Sequence, residues 1–382
     1  MSAFYHGVEV VEIDGGARPI RTVKSSVIGL IGTAPDADNA VFPLNAPVLI
    51  AGNRTEAAKL GSNGTLPDAI DGIFDQVGAM VVVVRVDHAD DNAQMLANVQ
   101  GGIDSDTGQR TGVQAFLDAG STLGLIPRIL IAPNFSNEAG IVQELMSIAE
   151  RLKAVIIAEA PSTTDTAAIA YRKNFGSARV YVIDPRVMVL ASGVEVAKPS
   201  SPRIAGLMAR IDKAYGWHYS PSNHEIYGVT ATERAIDFEL NGECRANYLN
   251  ENKIATIINQ NGFRLWGNLT CSNDPKWQFL SVRRTADMLN ESLLYAHNWA
   301  VDRGISKTFV DDIVMSVNGY LRSLVAQGRI LGGKCWADPE LNSENEIANG
   351  HVTFSFDFTP VYPAQHITFN SHLVNDYISE IF

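Results

Sequence analysis

Gly328, Gly333 and Lys334 stand at the spacing of a phosphate-binding loop, G-x-x-x-x-G-K-[ST], in which backbone amides and a lysine cradle phosphates. The match fails at its last position. Cys335 has no hydroxyl to ligate magnesium, and the segment follows a helical pattern instead of joining a strand to a helix. Gly29 and Gly32 close a strand pattern but lack the third glycine of G-x-G-x-x-G. Both glycine groups therefore read as turns. His218 and His224 flank Ser220 and Ser222, with Asp212 and Glu225 nearby, and form the best hydrolase-like cluster in the chain. Neither serine sits in a G-x-S-x-G elbow, and the two histidines miss the i, i+4 step of ligands on one helix face. A polar loop is the simpler reading. A soluble α/β hydrolase using Ser220 or Ser222 with His218 or His224 is the alternative function. Asp184-Pro185 follows a strand, where α/β proteins bind ligands, yet Asp-Pro also opens ordinary turns. Cys244, Cys271 and Cys335 are odd in number and far apart, so neither a disulfide framework nor a zinc site is indicated. The chain reads as a non-enzyme with no catalytic residue, cofactor or metal.

The elements around these residues divide into two styles. From 26 to about 190 the pattern is strand, helix, strand, repeated. Apolar strand runs lie at 26–31, 79–86, 128–132, 155–158 and 179–183, with helices at 67–77, 137–152 and 164–175 between them. Continuous apolar strands separated by helices predict a largely parallel sheet covered on both faces. Residues 90–120, with Gly101, Gly102, Asp104, Asp106 and Gly108, are polar and turn-rich and predict a surface excursion. Pro199 and Pro202 mark the expected boundary to a second unit. There Phe279, Val282, Ala286, Leu289, Leu293, Ala296 and Ala300 recur at steps of three and four. Val310, Val314, Val317, Leu321 and Leu324 repeat the device, predicting a long helical hairpin. Val352, Phe354, Phe356 and Phe358 then alternate with polar residues as a strand. The fold class is α/β plus α+β: a linking arm at 1–25, an α/β domain at 26–198, an α+β domain at 199–364 and a second arm at 365–382.

Both arms alternate without an evident partner in their own chain. Val8 and Val10 precede the Gly15-Gly16 turn, and Ile367, Phe369 and Leu373 follow Pro363. Arg283, Arg284 and Arg322 fall on the two long helices and are basic positions that could meet an acidic partner. The 382 residues carry 46% hydrophobic and 19% charged residues, enough for more than one core. With 30 Lys and Arg among 42 acids and a net charge of −12, non-specific phosphate binding is disfavoured, so nucleic acid is not an expected partner. No apolar run approaches the ~18 residues that span a bilayer, and residues 1–11 lack the basic and apolar regions of a secretory signal, so synthesis in the cytoplasm is expected.

Particular stretches carry a family likeness. F-Y-H-G-V-E-V-V-E-I-D-G-G-A-R-P-I from Phe4 and S-S-V-I-G-L-I-G-T-A-P from Ser25 resemble the start of phage tail sheath proteins. G-F-R-L-W-G from Gly262, Asp274-Pro275, R-R-T-A from Arg283, A-H-N-W-A-V-D from Ala296 and G-G-K-C-W from Gly332 follow in that family's order. The family often has arginine where Leu269 stands. The resemblance implies a structural subunit of a contractile tail. It would polymerise as stacked six-membered rings around an inner tube, with baseplate and tail terminator proteins as further partners, and contract when triggered. It implies a place in the virion tail after assembly in the host cytoplasm, or in a similar R-type bacteriocin. It further implies that the terminal arms complete a small sheet on neighbouring copies, and that the C-terminal domain faces the tube, with Arg283, Arg284 and Arg322 as the candidate contacts.

Overall fold

A computed structural model describes residues 20–240 and 242–377. Its centre is an eight-stranded sheet. In chain order the strands are β1 (Ile28–Thr33), β2 (Pro47–Ala51), β3 (Met80–Val86), β4 (Ile129–Ile131), β5 (Val155–Glu159), β6 (Val180–Ile183), β9 (Ile254–Asn259) and β10 (Phe263–Trp266). Between them β7 (Val187–Ala191) and β8 (Val194–Lys198) form a separate antiparallel hairpin. Spatial order is β10-β9-β6-β5-β4-β1-β3-β2. The middle strands are parallel, and an antiparallel strand closes each end.

The apolar strand runs explain the layering. In β3, Val82, Val84 and Val86 join one core while Val81 and Val83 join the other. The same alternation divides Leu130 from Ile129 and Ile131, and Ile156 from Val155 and Ile157. Strands with apolar residues at every position must therefore be covered on both sides. One face receives helix α3 (Ala139–Leu152) through Ile141, Val142, Leu145 and Ile148. The other receives α1 (Leu66–Phe74) and α5 (Ser201–Ala214) through Ile70, Ile73, Ile204, Leu207 and Met208. Each such side chain, fully buried, contributes about 1.5–3 kcal/mol.

Three expectations change here. Residues 90–120 do not loop away from the body: α2 (Asn92–Gln100) and the 3-10 segment Gly112–Asp118 place Val99, Val113, Ala115 and Phe116 in the first core, leaving the tip around Asp104 and Asp106 exposed. The first unit also continues beyond 198. α5 covers its sheet, and β9 pairs in parallel with β6 through Ile254 opposite Val182. Gly29 and Gly32 lie inside β1, where neighbours press on the backbone, and do not form a turn. A Cβ on Gly29 would stand 2.7 Å from Leu130 Cδ2, and one on Gly32 would collide with Thr65 Oγ1, the acceptor for the Thr33 amide. Gly32→Ala should destabilise the subunit by about 1–3 kcal/mol through overpacking. Urea unfolding followed by tryptophan fluorescence checks this.

The second unit begins with α7 (Leu280–Ala296) and α8 (Lys307–Ala326). Met288, Leu289 and Leu293 of α7 share a core with Ile313, Val317, Tyr320, Leu321 and Leu324 of α8. Across α8 lies an antiparallel pair, β11 (Ile330–Ala337) and β12 (Phe354–Pro360), whose Phe354, Phe356 and Phe358 pack on the same core. α7 is buried on nearly every face, because its opposite side lies against the sheet unit. α4 (Asp165–Arg172) and α6 (Arg245–Glu251) complete the helices that bear on the sites below.

Candidate functional site

The residues that suggested catalysis are held in structural roles. Gly333, Lys334 and Cys335 belong to strand β11, and the Lys334 amide donates to Asp357 Oδ1 across the hairpin at 2.8 Å. A strand spreads successive amides to opposite sides, so this segment has no phosphate cradle. Ser220 Oγ accepts from the Ser222 amide at 3.2 Å, and Ser222 Oγ accepts from the Gly267 amide at 3.0 Å. The hydroxyls thus pin a loop. His218 is buried edge-on against Trp217 and Tyr219, and burial with Arg329 nearby lowers its pKa. His224 is likewise lowered, first by burial and then by Arg210 and Arg264. No serine–histidine hydrogen bond forms among the described residues of this cluster, and the hydrolase reading has no support.

Carboxylates at the C-terminal ends of the parallel strands are also engaged. Glu159, at the end of β5, accepts from the Ser201 amide at 2.8 Å and the Asn134 amide at 3.3 Å, which fixes the start of α5. Burial raises its pKa. Asp184 accepts from the Ser162 amide at 3.0 Å and pairs with Arg234, which also holds Asp165. Burial pushes Asp184 upward while Arg234 opposes the shift. Arg245 Nε reaches Asp165 at 2.7 Å. The cluster at this sheet edge clamps Arg234 and the start of α6 at Arg245 onto α4 and β6.

The three arginines expected to meet a partner part company. Arg284 is 5% exposed: its Nη1 donates to Asp212 Oδ1 at 2.8 Å, Nη2 pairs with Asp212 Oδ2, and Nη2 also donates to the Ser25 carbonyl at 3.3 Å. Arg283 lies over the Trp277 ring at 4.4 Å and donates to Asp287 Oδ1 at 2.9 Å. Arg322 is exposed on α8. Arg284 is thus an internal residue and not a partner contact. It belongs to a row along α7, in which Asp287 pairs with Arg179 at 2.9 Å and Glu291 with Arg128 at 2.6 Å. Arg128 and Arg179 immediately precede β4 and β6 and bond carbonyls of Leu152 and Ala154. Steps of three and four put Arg284, Asp287 and Glu291 on one helix face, so the row fastens α7 across the lower edge of the sheet. Sequence spacing shows such a row but not where its partners come from.

What remains open is the small sheet and the chain after it. Asn318 of α8 donates to the Cys335 carbonyl at 2.9 Å and accepts from the Cys335 amide at 2.9 Å. Those two bonds close the outer edge of β11 at its middle. Along the outer edge of β12 no strand pairs among the described residues. Beyond Pro360, Tyr362 touches the Phe279 ring at 6.2 Å, and no strand forms through residue 377. Ile367, Phe369 and Leu373 are 66%, 91% and 99% exposed. Val8, Val10, Gly15 and Gly16 lie outside the described residues.

Known proteins resemble this chain over nearly its whole length. The phage tail sheath C-terminal domain family matches residues 272–373, the phage tail sheath central domain 78–271, and the Gp18 domain III N-terminal region of tail sheath proteins 25–86. The junction near 271 agrees with the end of the large sheet. A putative prophage major tail sheath protein of Pseudomonas aeruginosa is 40% identical over 99% of both chains, and the tail sheath protein of Escherichia phage P2 is 35% identical over 100% of this chain and 98% of its own. In fold, the contracted helical sheath of the anti-feeding prophage matches with a TM-score of 0.74 at 21% identity, covering 96% of this chain and 98% of that one. With its domains matched in order and its relatives aligned end to end, the chain belongs to the phage tail sheath protein family.

Proposed function

We propose that this subunit polymerises as stacked six-membered rings around an inner tube, and that its contraction drives the tube through a bacterial envelope. Baseplate and terminator proteins would bound the polymer, which assembles in the host cytoplasm and functions in the particle's tail. The reading is non-enzymatic. It is carried by one observation: the hairpin offers the open edge of β12, while the same chain extends an apolar segment with no place in its own core. An added strand bonds through main-chain groups, so a neighbour's arm on that edge would hold while the bodies rotate. The N-terminal arm, with Val8, Val10 and the Gly15-Gly16 turn, is assigned the same linking role.

Of the basic positions, Arg322 keeps the role of tube contact, while Arg283 is partly covered by Trp277. Arg322→Glu should reduce co-sedimentation with purified inner tube several-fold while sheath self-assembly continues. Equal loss of both would remove the tube contact from this face. Failure of the wild-type chain to coat tubes would reject the sheath function itself.

A further inference from the structure

The loops at the upper edge of the large sheet are acidic. Asp36 and Asp38 follow β1, Asp87, Asp90 and Asp91 follow β3, and Glu138 follows β4, all of them exposed. The connecting segments 34–46, 87–91 and 132–138 hold no Lys or Arg. Among the described residues none of the six pairs with either, Asp90 reaching only His88 at 3.5 Å. Arg186 enters this edge from beyond β6 and donates to Asn134 at 2.7 Å. The lower edge carries the opposite sign. Arg151 and Lys153 end α3, Arg172 and Lys173 end α4, and Lys253 follows α6, beside the strand starts that α7 covers. These three helices share one face of the sheet. Arg151 and Lys173 are exposed, the other three bases are half-buried, and none forms an ion pair among the described residues. Arg172 and Lys253 donate to carbonyls, of Cys271 at 3.2 Å and of Ser272 at 2.6 Å. Of the acids on the same helix ends, Glu150 is taken by Arg179 at 2.8 Å, which leaves Glu251.

Helix macrodipoles favour acids at helix starts and bases at helix ends, which accounts for Asp91, Glu138, Arg151 and Arg172. They do not account for Asp36, Asp38 and Asp87, which stand in loops. Nor can the two edges neutralise each other within one chain. A seven-residue strand such as β3 separates them by about 20 Å, whereas exposed charges at physiological salt are screened beyond ~8 Å.

We propose that the two edges meet between copies: the basic edge at β5, β6 and β9 of one subunit docks on the acidic edge at β4, β1 and β3 of another. The inference rests on the polymer proposed above and adds a contact between bodies that is separate from the arms. Complementary charge orients such an encounter, and any register that brings like edges together is repelled. The two patches are also offset. In the spatial order β9-β6-β5-β4-β1-β3 their centres, β6 and β1, are three strands apart, about 14 Å sideways. A head-to-tail contact with such a sidestep repeats as a staggered, open array instead of closing as a pair.

Two full-length double variants test this, Arg151→Glu with Lys173→Glu on the basic edge and Asp87→Lys with Asp90→Lys on the acidic edge, each with a melting curve checked against wild type. Either one alone should lower tube yield about tenfold, because its two edges then carry the same sign. An equal mixture of the two should restore most of the yield, since every altered edge finds its opposite on the other variant, and the tubes should contain both chains in equal amounts. Arg151→Gln with Lys173→Gln, which removes charge without reversing it, should lower the yield about threefold and guards against misfolding of the reversed chains. Normal tubes from the glutamine pair or from either reversed pair overturn the edge contact and leave the polymer standing. So does a mixture that assembles no better than its components. A wild-type chain that makes no tubes overturns the contact and the polymer together.

Discussion

Asp212→Ala should destabilise the isolated subunit by about 3–5 kcal/mol, the cost of stripping one partner from a buried ion pair. The carboxylate takes both terminal nitrogens of Arg284 and also accepts from Ser25 Oγ at 3.1 Å and Ser26 Oγ at 3.0 Å. Without it a guanidinium that is 5% exposed keeps only the Ser25 carbonyl. Arg284→Lys should lose much of the same stability, because an ammonium cannot reproduce the fork. Arg322→Ala, at an exposed position, should stay within about 0.5 kcal/mol of wild type. Chemical unfolding of the three variants checks the order. If Arg284→Lys and Arg322→Ala proved equally mild, the row along α7 would not fasten the two units.

What the spacing along α7 hides is the origin of the partners. Arg283 and Arg284 on an apolar-seamed helix look like a solvated face, since helix periodicity reports spacing and says nothing of what approaches from afar. The partners come from far along the chain: Asp212 for Arg284, Arg179 for Asp287 and Arg128 for Glu291. Parallel pairing hides in the same way. β9 joins β6 across some seventy residues, and no local signal distinguishes that strand from one in a separate domain. The proline pair at 199 and 202 looked like a boundary, yet Pro202 lies in the first turn of α5, where its missing amide costs nothing. Elements with continuous apolar runs, such as Met80–Val86 and Val155–Glu159, were legible because their composition demands cover on both faces. Ile367 and Phe369, which alternate beyond a proline, stand exposed and in no strand of their own subunit, and their linking role is part of the proposal.

Removing residues 365–382 should leave folding intact and abolish polymerisation. The described part of that segment is exposed, so its loss should change stability by no more than about 0.5 kcal/mol. Removing residues 1–14 should act similarly, and Val10→Pro should weaken pairing by deleting one ladder donor and fixing the backbone angle. An unpaired strand invites association in a monomer, and a polymer turns that property into its joint. Circular dichroism and thermal melting separate this outcome from misfolding. A truncated chain that unfolds would show that the termini belong to a core.

The most direct test is negative-stain electron microscopy of the purified full-length chain beside the chain lacking residues 365–382, at equal concentration and with matched melting curves. The full-length protein should form long tubes and the truncated one only small, folded particles. Tubes of normal length and abundance from the truncated chain would contradict an assembly built on exchanged arms.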